Sequence, residues 1–327
     1  MAAVPADPKI GIVVLNWNGW RDTIRCLASL AGLNHGNHAI YVVDNASTDG
    51  SESHLRAWRP ALRILQSGAN LGWSGGNNVG IRAALAEGCE HVYLLNNDAT
   101  VLPDTLSRLV EAAGLPHAGA LGSLILSADD PSEAEFTGTV LDPANHFPRQ
   151  LEGPASQVDP SPVATIAVKG CSMLLTGAAL RRAGLLAEEY FVNFDETDWC
   201  YRAAAAGFVN YFIPDSAVLH RGAVAFRGTT SPLYRFFTTR NRLLFAHRHL
   251  DRVGRRFAWR TALWEIKQAL LLTQPAGRNS LRHRMLLLVA AVLGPACYCL
   301  GRLGDCPTLV RWVQRRYVAA SNTSISG

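Results

Sequence analysis

The sequence has no segment that would send the chain out of the cytoplasm. Its start, MAAVPADPKI, lacks the basic stretch followed by an apolar run that defines a signal peptide. The seven cysteines are odd in number, and their spacing includes neither a zinc pattern nor a CxxC pair. We therefore expect reduced thiols in a cytoplasmic protein, with peripheral attachment to the inner face of the plasma membrane as an open alternative.

Several recurrent patterns are also missing. There is no internal repeat, no GxGxxG fingerprint and no P-loop with its lysine. No RNP, zinc-finger or helix-turn-helix pattern is present, so we expect no nucleic-acid partner. With 327 residues and 48% hydrophobic content, however, the chain can bury a large core, which excludes global disorder.

Charge is divided unevenly along the chain. Residues 1–220 carry 13 Lys and Arg against 23 Asp and Glu, whereas residues 221–327 carry 18 against 3. The C-terminal part therefore has a net charge of +15, although the whole chain has only +5. A basic segment of this size predicts a polyanionic partner, such as a phospholipid surface or the diphosphate of a lipid-linked substrate.

An uncharged run of 17 residues, from Met285 to Gly301, lies in this basic part. Its length is at the lower edge of what spans a bilayer, and Gly294 and Pro295 interrupt it. Basic residues flank the run, and tryptophans lie nearby in the sequence. Three interpretations stay open: helices lying in the membrane interface, packing against protein or a second subunit of a homodimer, and a true span.

Apolar runs of strand length alternate with amphipathic segments over the first hundred residues. This alternation predicts an α/β fold with a mostly parallel sheet flanked by helices, and a ligand site beyond the carboxyl ends of the strands. Residues 142–162 are rich in proline and polar residues and predict a surface loop. Strands are predicted at 10–15, 39–43, 61–66 and 91–95, and helices at 22–30, from 51, and at 77–87 after a glycine-rich loop at 67–76.

Polar segments follow these strands directly, so their side chains should gather at one edge of the sheet. Asp44 ends a strand, where its carboxylate can accept hydrogen bonds from a base or a ribose; an Asx-turn or a helix cap is the alternative. Glycines in residues 72–78 would let the backbone approach a diphosphate, unless this is a plain flexible loop. Residues 96–98, Asn-Asn-Asp, offer hard oxygen ligands to Mg²⁺ or Mn²⁺, or form a simple turn.

A second acidic cluster, Asp195-Glu196-Thr197-Asp198, lies in the second half of the chain. If a helix begins here, Asp198 and Arg202 are one turn apart and can pair. Repulsion within the cluster raises the pKa of at least one carboxyl group, which suits a general base. The alternative is an ordinary acidic first turn that the helix dipole favours.

Eight short segments become distinctive when they are taken in order. They are VVLNWNG (13–19), VVDNASTDGS (42–51), NLGWSGGNNVG (70–80), LLNNDA (94–99), GCSMLL (170–175), DETDWCYR (195–202), a late His220 and RNRLLF (240–245). Together they resemble glycosyltransferase family 2, particularly its bacterial rhamnosyltransferase-like branch, over roughly residues 9–250. One such segment would be a weak indication, but eight in order are a strong one.

The resemblance implies a GT-A fold, which is Rossmann-like, and an inverting displacement on an NDP-sugar. It implies that Asp98, with Asn96 and His220, holds Mg²⁺ or Mn²⁺. The family's late carboxylate base falls on Glu196, where Asp is commoner, so Asp195 stays an alternative. Substrate contacts are implied in the same way: Leu15, Asn16, Asp44, Asn70, Gly76, Asn77, Asn97 and Arg240 for the nucleotide sugar, and Gly170 and Asp198 for the acceptor.

The implied organisation is a catalytic domain over residues 1–230, followed by a basic, apolar helical extension over 231–327. Within the first domain, about 9–100 would form the nucleotide-sugar half and about 101–230 the acceptor half. The resemblance favours dTDP-rhamnose as donor, with UDP-sugars as the alternative, and a polysaccharide or lipid-linked glycan of the cell envelope as acceptor. A non-catalytic nucleotide-sugar-binding scaffold is the rival interpretation, but a scaffold has no need for metal ligands and a base together.

Overall fold

The computed structural model describes residues 7–222, 231–271 and 281–322, which divide into two compact units. Unit 1 consists of Met1–Leu141, Pro148–Glu188 and Asp195–Gly222. Unit 2 consists of Asp142–Phe147, Glu189–Phe194 and Ala223–Gly327. The sequence predicts a domain boundary after residue 230. Residues 223–230, which end at this boundary, lie outside the described residues.

Unit 1 is built on one eleven-stranded sheet with helices packed against it and a separate two-stranded ribbon, β8–β9. Its strands are β1 Ile10–Asn16, β2 His38–Asp44, β3 Ile64–Gln66, β4 His91–Asn96, β5 Ala99–Val101, β6 Ala118–Ser127, β7 Glu133–Phe136, β8 Thr139–Leu141, β9 Pro148–Gln150, β10 Gly153–Pro154, β11 Val163–Thr165, β12 Ser172–Thr176 and β13 Val209–His220. Its α-helices are α1 Trp20–Leu30, α2 Ser51–Trp58, α3 Gly72–Ala86, α4 Thr105–Ala112, α5 Gly177–Ala183 and α6 Asp195–Ala205.

The predicted parallel sheet is present in the first half of unit 1. Strand β1 pairs in parallel with both β2 and β4, and β2 pairs in parallel with β3. Beyond β4 the sheet is mixed, because β12 runs antiparallel to β4 and β6, whereas β13 runs parallel to β6. Strand β1 is apolar over nearly its whole length because both of its faces are covered. The α/β fold class is therefore confirmed.

Helix α3 begins earlier than the sequence predicts, at Gly72, so the second half of the expected glycine-rich loop, residues 72–76, is helical. Two asparagines cap this start: Asn45 Oδ1 accepts from the Leu71 N–H at 2.9 Å, and Asn70 Oδ1 accepts from the Gly72 N–H at 2.9 Å. These side chains satisfy donors that a helix start leaves unpaired. The glycines of this segment therefore indicate tight packing of a helix and not an irregular loop.

The small residues of α3 let the helix lie directly on β1. A Cβ atom added at Gly80 would stand 2.3 Å from a methyl carbon of Val13, and one at Gly76 would stand 2.4 Å from a methyl carbon of Leu15. The next residue along this helix face is Ala84, which meets Gly11. The helix and the strand therefore approach as closely as their backbones permit.

The expected surface loop at 142–162 is only partly irregular. Strand β9 pairs with β8, and β10 pairs with the edge strand β7. Part of the segment in which proline and polar residues predicted a loop is therefore a strand of a two-stranded ribbon. Edge strands accommodate proline, so its presence does not prevent a strand here.

Unit 2 contains four helices among its described residues: α7 Pro232–His249, α8 Arg252–Leu271, α9 Leu281–Cys299 and α10 Thr308–Asn322. Helix α9 contacts each of the other three and contains most of the 17-residue apolar run. Its residues Leu286, Leu287, Ala290 and Ala291 are buried. Packing against protein is therefore the interpretation that the structure bears out for this run. None of the described helices combines the length and apolar character needed to cross a bilayer.

Asn241 of α7 fastens the segment 189–194 within unit 2. Its Nδ2 donates to the carbonyl oxygens of Tyr190, Val192 and Asn193 at 2.9, 2.7 and 2.9 Å. The segment needs this support because the left-handed region is costly for residues with a Cβ. Three of its residues adopt φ angles of 66°, 68° and 70°, namely Phe191, Asn193 and Phe194.

Arg240 belongs to the same clamp. It is fully buried, and its guanidinium donates to the carbonyl oxygens of Tyr190 at 2.9 Å and Gly304 at 2.6 Å. Burial lowers the pKa of Arg240 to about 10. The expectation that Arg240 binds the nucleotide sugar therefore finds no support, because its donors are committed to backbone carbonyls inside unit 2.

We predict that Gly80→Ala destabilises the protein by about 2 kcal/mol, because overpacking costs more than the roughly 1 kcal/mol that alanine gains in a helix. Urea unfolding measures the change. Gly36→Ala is the matched control, since a Cβ there meets no atom within 4 Å, and we expect a change within about 0.5 kcal/mol. Equal stability of Gly80→Ala and the wild type would contradict the close packing of α3 on β1.

Candidate active site

The carboxyl ends of β1 and β2 lie level with each other, as the parallel sheet predicts. Asn16 pairs in register with Asp44, and its side chain is fully buried. The Asn16 amide donates to Asp44 Oδ1 at 3.2 Å and to Ser47 Oγ at 3.0 Å, and its oxygen accepts from Thr23 Oγ1 at 2.7 Å. Asn16 therefore positions Asp44 and has no polar atom left over for a ligand.

Asp44 is held from several sides. Gln66 Nε2 donates to its Oδ2 at 3.2 Å, and the backbone N–H of Ser47 donates to its Oδ1 at 3.3 Å. The second contact is the Asx-type bond that the sequence left open as the alternative. Asp44 is nevertheless placed at the sheet edge with a fixed orientation, which is what recognition of a base or a ribose needs.

The other residues expected at the nucleotide sugar shape this edge through packing and capping. Leu15 lies against Gly76, and Asn70 caps α3. Asn77 is buried, and its amide donates to the Trp73 carbonyl at 2.9 Å. Asn97 donates to Thr23 Oγ1 at 3.0 Å. Each of these side chains already has a structural role in unit 1.

Trp73 is a residue that sequence reasoning missed because it was assigned to a loop. Its indole N–H donates to Asn96 Oδ1 at 2.9 Å. Its ring lies against Gly170, where a Cβ atom would stand 2.7 Å from the ring and 3.5 Å from Glu196 Cβ. Trp73 thus connects the end of β4 with Gly170 and the acidic cluster. Gly170, expected at the acceptor, is buried against this indole.

His220 and Asp98 meet because β13 pairs with β5. This pairing sets His220 opposite Ala99, immediately after the turn that carries Asp98. The distance from His220 Nε2 to Asp98 Oδ1 is 3.4 Å. On its other side, His220 Nδ1 lies 2.9 Å from Glu135 Oε2, a partner that the sequence did not predict. The imidazole is therefore held between two carboxylates.

Burial and the neighbouring groups act in opposite directions on the pKa of His220. Burial alone would lower the pKa of its imidazole, but Cys171, Asp98 and Glu135 raise it to about 12. The hydrogen bond from His220 in turn lowers the pKa of Glu135 below its usual range. The surroundings of His220 between Asp98 and Glu135 therefore favour the protonated imidazole.

Few side chains of the described residues are available as ligands for the predicted metal ion. Over residues 7–222, 231–271 and 281–322, no group of three or more His, Cys, Asp or Glu side chains is arranged to hold a metal ion. Asn96 accepts from Trp73, so its oxygen is already engaged. Asp98 and His220 remain as two adjacent ligands. Such a pair fits Mg²⁺ or Mn²⁺ that is bound mainly through substrate phosphates.

Asp195 and Glu196 begin α6 and form a coupled pair. Ser74 Oγ donates to Asp195 Oδ2 at 2.7 Å. Burial raises the pKa of Asp195 in spite of this bond. Burial, the charge of Asp195 and a hydrogen bond between the two carboxyl groups raise the pKa of Glu196 well above its usual range. Burial and the negative charge of the neighbour thus raise the pKa of this pair of carboxyl groups, in the direction that the sequence predicts.

A row of charged groups connects the two sets of carboxylates. The ammonium of Lys169 opposes the rise in the pKa of Glu196, and its Nζ lies 3.8 Å from Glu135 Oε2. Glu135 contacts His220, which contacts Asp98. The Asp195–Glu196 pair and the Asp98–His220 pair are thus linked through Lys169 and Glu135 within unit 1. This arrangement suits group transfer from a phosphate leaving group.

Asp198 has a structural role. Its side chain is buried, and its Oδ2 accepts from Arg202 Nε at 2.8 Å, which confirms the predicted pair one helical turn apart. Arg202 also donates to the carbonyl oxygens of Ala183 and Leu185. The expectation that Asp198 binds the acceptor therefore finds no support, because its buried carboxylate is engaged by Arg202 within unit 1.

Residues 11–175 match the family described as Glycosyl transferase family 2. This match covers β1 to β12, and thus Asp44, Trp73, Asp98 and Glu135. The chain belongs to glycosyl transferase family 2. The site described above is therefore the candidate active site of a glycosyltransferase.

Two curated relatives are similar over more than half of this chain. An N-acetylglucosaminyl-diphospho-decaprenol L-rhamnosyltransferase of Mycobacterium tuberculosis is 28% identical over 228 residues, which are 61% of this chain and 71% of the relative. A dTDP-rhamnosyl transferase of Shigella flexneri is 21% identical over 250 residues, which are 74% of this chain and 81% of the relative.

Solved structures share the fold. A mannosyltransferase from Pyrobaculum calidifontis, in complex with GDP-Man and Mn²⁺, has a TM-score of 0.57 at 19% identity and covers 98% of this chain and 88% of its own. A structure of GalNAc-T7 with UDP, GalNAc and Mn²⁺ has a TM-score of 0.59 at 12% identity and covers 81% of this chain and 52% of its own. The GT-A fold is therefore confirmed.

We predict that Asp198→Asn destabilises the glycosyltransferase by about 1–3 kcal/mol, because it leaves Arg202 without its buried anionic partner. Thermal and urea unfolding measure the loss. The matched control is Glu52→Gln, since Glu52 and Arg56 form an ion pair of the same spacing on the surface. That change should cost less than about 0.5 kcal/mol. A role at the acceptor would instead leave stability unchanged and raise the acceptor KM.

Proposed function

We propose that this glycosyltransferase moves a sugar, with inversion, from an NDP-sugar held through Mg²⁺ or Mn²⁺ to a glycan or lipid-linked acceptor of the cell envelope. The observation that carries the proposal is the polar row from Glu196 through Lys169, Glu135 and His220 to Asp98. This row supports the assignment of a carboxylate base and a pair of metal ligands within the same unit.

Asp44 would recognise the nucleotide part of the donor. Its carboxylate is oriented by Asn16 and Gln66 at the carboxyl end of β2, where an open α/β sheet binds its ligand. The names of two relatives include rhamnose, and one of them includes dTDP, which favours dTDP-rhamnose as the donor. A UDP-sugar is the alternative, since UDP accompanies a fold relative.

Asp98 and His220 would hold the divalent ion, which supplies positive charge to the departing diphosphate. Fold relatives with Mn²⁺ support this assignment. Glu135 would orient His220 through Nδ1 and so direct Nε2 towards Asp98. For His220 to become a ligand, the proton on Nε2 has to leave, because only the neutral imidazole has a lone pair to give.

Glu196 would act as the general base, with Asp195 as its partner. A base of raised pKa takes the proton of the acceptor hydroxyl while that oxygen attacks C1 of the donor sugar. The attack comes from the side opposite the leaving diphosphate, so the configuration at C1 inverts. Ser74 would hold Asp195 in place, and Asp195 would set the basicity of Glu196.

The proposed donor and acceptor can be tested together. The full chain is incubated with Mg²⁺ and either dTDP-rhamnose or a panel of UDP- and GDP-sugars, with and without an N-acetylglucosaminyl diphosphate lipid, and NDP release is measured. We expect the fastest release with dTDP-rhamnose and the lipid acceptor. Release from a UDP-sugar alone among the donors would overturn the rhamnose assignment and keep the glycosyltransferase.

We predict that Glu196→Gln lowers kcat by about 10²–10⁴-fold and leaves donor affinity nearly unchanged, because it removes the base and keeps the shape. Single-turnover kinetics and donor titration measure the two effects. If Asp195→Asn shows this loss and Glu196→Gln does not, the base is Asp195.

The pH dependence separates the two roles further. The base works only when it is deprotonated, so kcat should fall as the pH drops through the raised pKa of Glu196, above the usual range of a glutamate. Asp195→Asn removes the negative neighbour and should move this acid limb to lower pH. An acid limb that stays in place in Asp195→Asn would contradict the coupling of the pair.

We predict that Asp98→Ala abolishes both turnover and Mn²⁺ binding in the presence of a nucleoside diphosphate, because it removes the only carboxylate of the ligand pair. Electron paramagnetic resonance of Mn²⁺ measures binding without turnover. Asp129→Ala is the control, since Asp129 lies exposed at the end of β6 and belongs to no part of the site. Full turnover in EDTA would contradict metal dependence.

A further inference from the structure

Helix α8 has an inverted distribution of large and small side chains. The fully buried positions of α8 are all small residues, namely Gly254, Ala258, Ala262 and Ala269, and Phe257 packs beside them against Phe147. The largest apolar side chains point outward instead: Leu263 is 61% exposed, and Trp264 and Leu270 are each 57% exposed. A surface helix of a globular protein normally shows the reverse. A cluster of exposed large apolar residues marks a surface that binds something.

The exposed residues of α8 form two parallel stripes. Trp259, Leu263 and Leu270 follow one another at intervals of four and seven residues and make an apolar stripe. Arg256, Arg260 and Lys267 follow one another at the same intervals and make a basic stripe, turned by about 60° around the helix axis. Trp264 lies on the far side of the basic stripe, so apolar side chains border the positive charges on both sides.

The single acidic residue of α8 does not dilute this charge. Glu265 is mostly buried, and its carboxylate pairs with Arg242 Nη1 at 2.8 Å and accepts a hydrogen bond from Thr239. Both partners belong to α7, so the negative charge is turned into unit 2. The outer face of α8 therefore presents arginine, lysine, tryptophan, leucine and valine, without an exposed carboxylate.

We propose that the outer face of α8, made of the apolar and basic stripes with Trp264, binds an anionic phospholipid bilayer. Arginine and lysine meet the phosphates of the headgroups, tryptophan settles at the headgroup level, and leucine reaches the acyl boundary. The helix lies in the interface and does not cross the membrane, in keeping with its mixed composition. The contact is assigned to α8, whereas the sequence had suggested the whole basic extension 231–327, including the 17-residue apolar run.

Other occupants fit this face less well. A second copy of the chain, docked through the same face, would bring two basic stripes together, and like charges in contact are unfavourable. A nucleic acid would meet the arginines and could stack on the tryptophans, but it has no use for the exposed leucines. A lipid surface uses the charged, aromatic and aliphatic side chains together.

Vesicle co-sedimentation of the full chain tests the proposal and needs no turnover, so its failure leaves the proposed function untouched. We expect sedimentation with phosphatidylcholine vesicles that contain phosphatidylglycerol, weaker sedimentation at high salt, and little with phosphatidylcholine alone. Arg256→Gln combined with Arg260→Gln should weaken partitioning roughly 30-fold, from two lost headgroup contacts. Leu263→Gln combined with Leu270→Gln should weaken it at least about tenfold.

The matched control is Arg181→Gln combined with Arg182→Gln, which removes the same charge from exposed positions of α5 in unit 1. Circular dichroism and thermal melting verify that each variant is folded. We expect this control to sediment like the wild type. Equal loss in the control and the arginine variant of α8 would overturn the proposal, because net charge alone would then explain binding.

Two further outcomes would also overturn it. One is equal recovery of the wild type in the supernatant with neutral and anionic vesicles. The other is a concentration-dependent dimer in light scattering that disappears in the Leu263 and Leu270 variant, which would assign the face to a second copy of the chain. Binding of a single-stranded RNA oligonucleotide without binding of anionic vesicles would count against the lipid surface in the same way.

Discussion

The close approach of α3 to β1 is the constraint on which unit 1 depends. Because Gly76 and Gly80 have no side chain, the helix lies against Leu15 and Val13, and its first turn is fixed at the carboxyl edge of the sheet. That turn carries Trp73, which contacts Asn96, and Ser74, which contacts Asp195. Two parts of the site that are far apart in the sequence are thus positioned from one helix start. A shift of α3 would move both of them together.

The sequence predicted the residues at the edge of the sheet well, but it did not predict the contacts between the parts of the site. Asp44 and Asp98 could be placed because a polar residue after an apolar strand must emerge where the parallel strands end. The pairing of Asp198 with Arg202 followed from helical spacing alone. Trp73 was missed because glycines next to it suggest a loop as readily as a tightly packed helix. Local rules thus succeed wherever the neighbours are close in the sequence.

Long-range contacts were beyond such rules. Glu135 is 85 residues from His220 in the chain, and only the mixed half of the sheet brings them together. Arg240 illustrates the opposite error, since a charged residue in a family-like segment suggested a ligand contact although burial commits it to carbonyl groups. The sequence also indicated an apolar run without showing its surroundings. Whether such a run is a core helix depends on the helices that cover it, here α7, α8 and α10.

The electrostatics of the proposed metal pair make protons and cations competitors. The carboxylates that hold the proton on His220 are the same groups that would attract a divalent ion, so either positive charge can satisfy them. The Asp195–Glu196 pair behaves in the opposite way, because burial of both carboxyl groups disfavours two negative charges side by side. One polar surface therefore contains the Asp98–His220 pair, which would attract a cation, and the Asp195–Glu196 pair, which would attract a proton. Lys169 connects the two pairs.

The clamp at Asn241 exposes the protein to a form of chemical ageing. One amide nitrogen donates to three backbone carbonyls and so supports the left-handed turn of residues 191–194. Deamidation would exchange that nitrogen for a carboxylate oxygen and turn three attractive contacts into three repulsive ones. Burial protects the amide while the protein is folded. Molecules that deamidate at Asn241 while unfolded could not re-form the turn, so deamidation would lower the refolding yield.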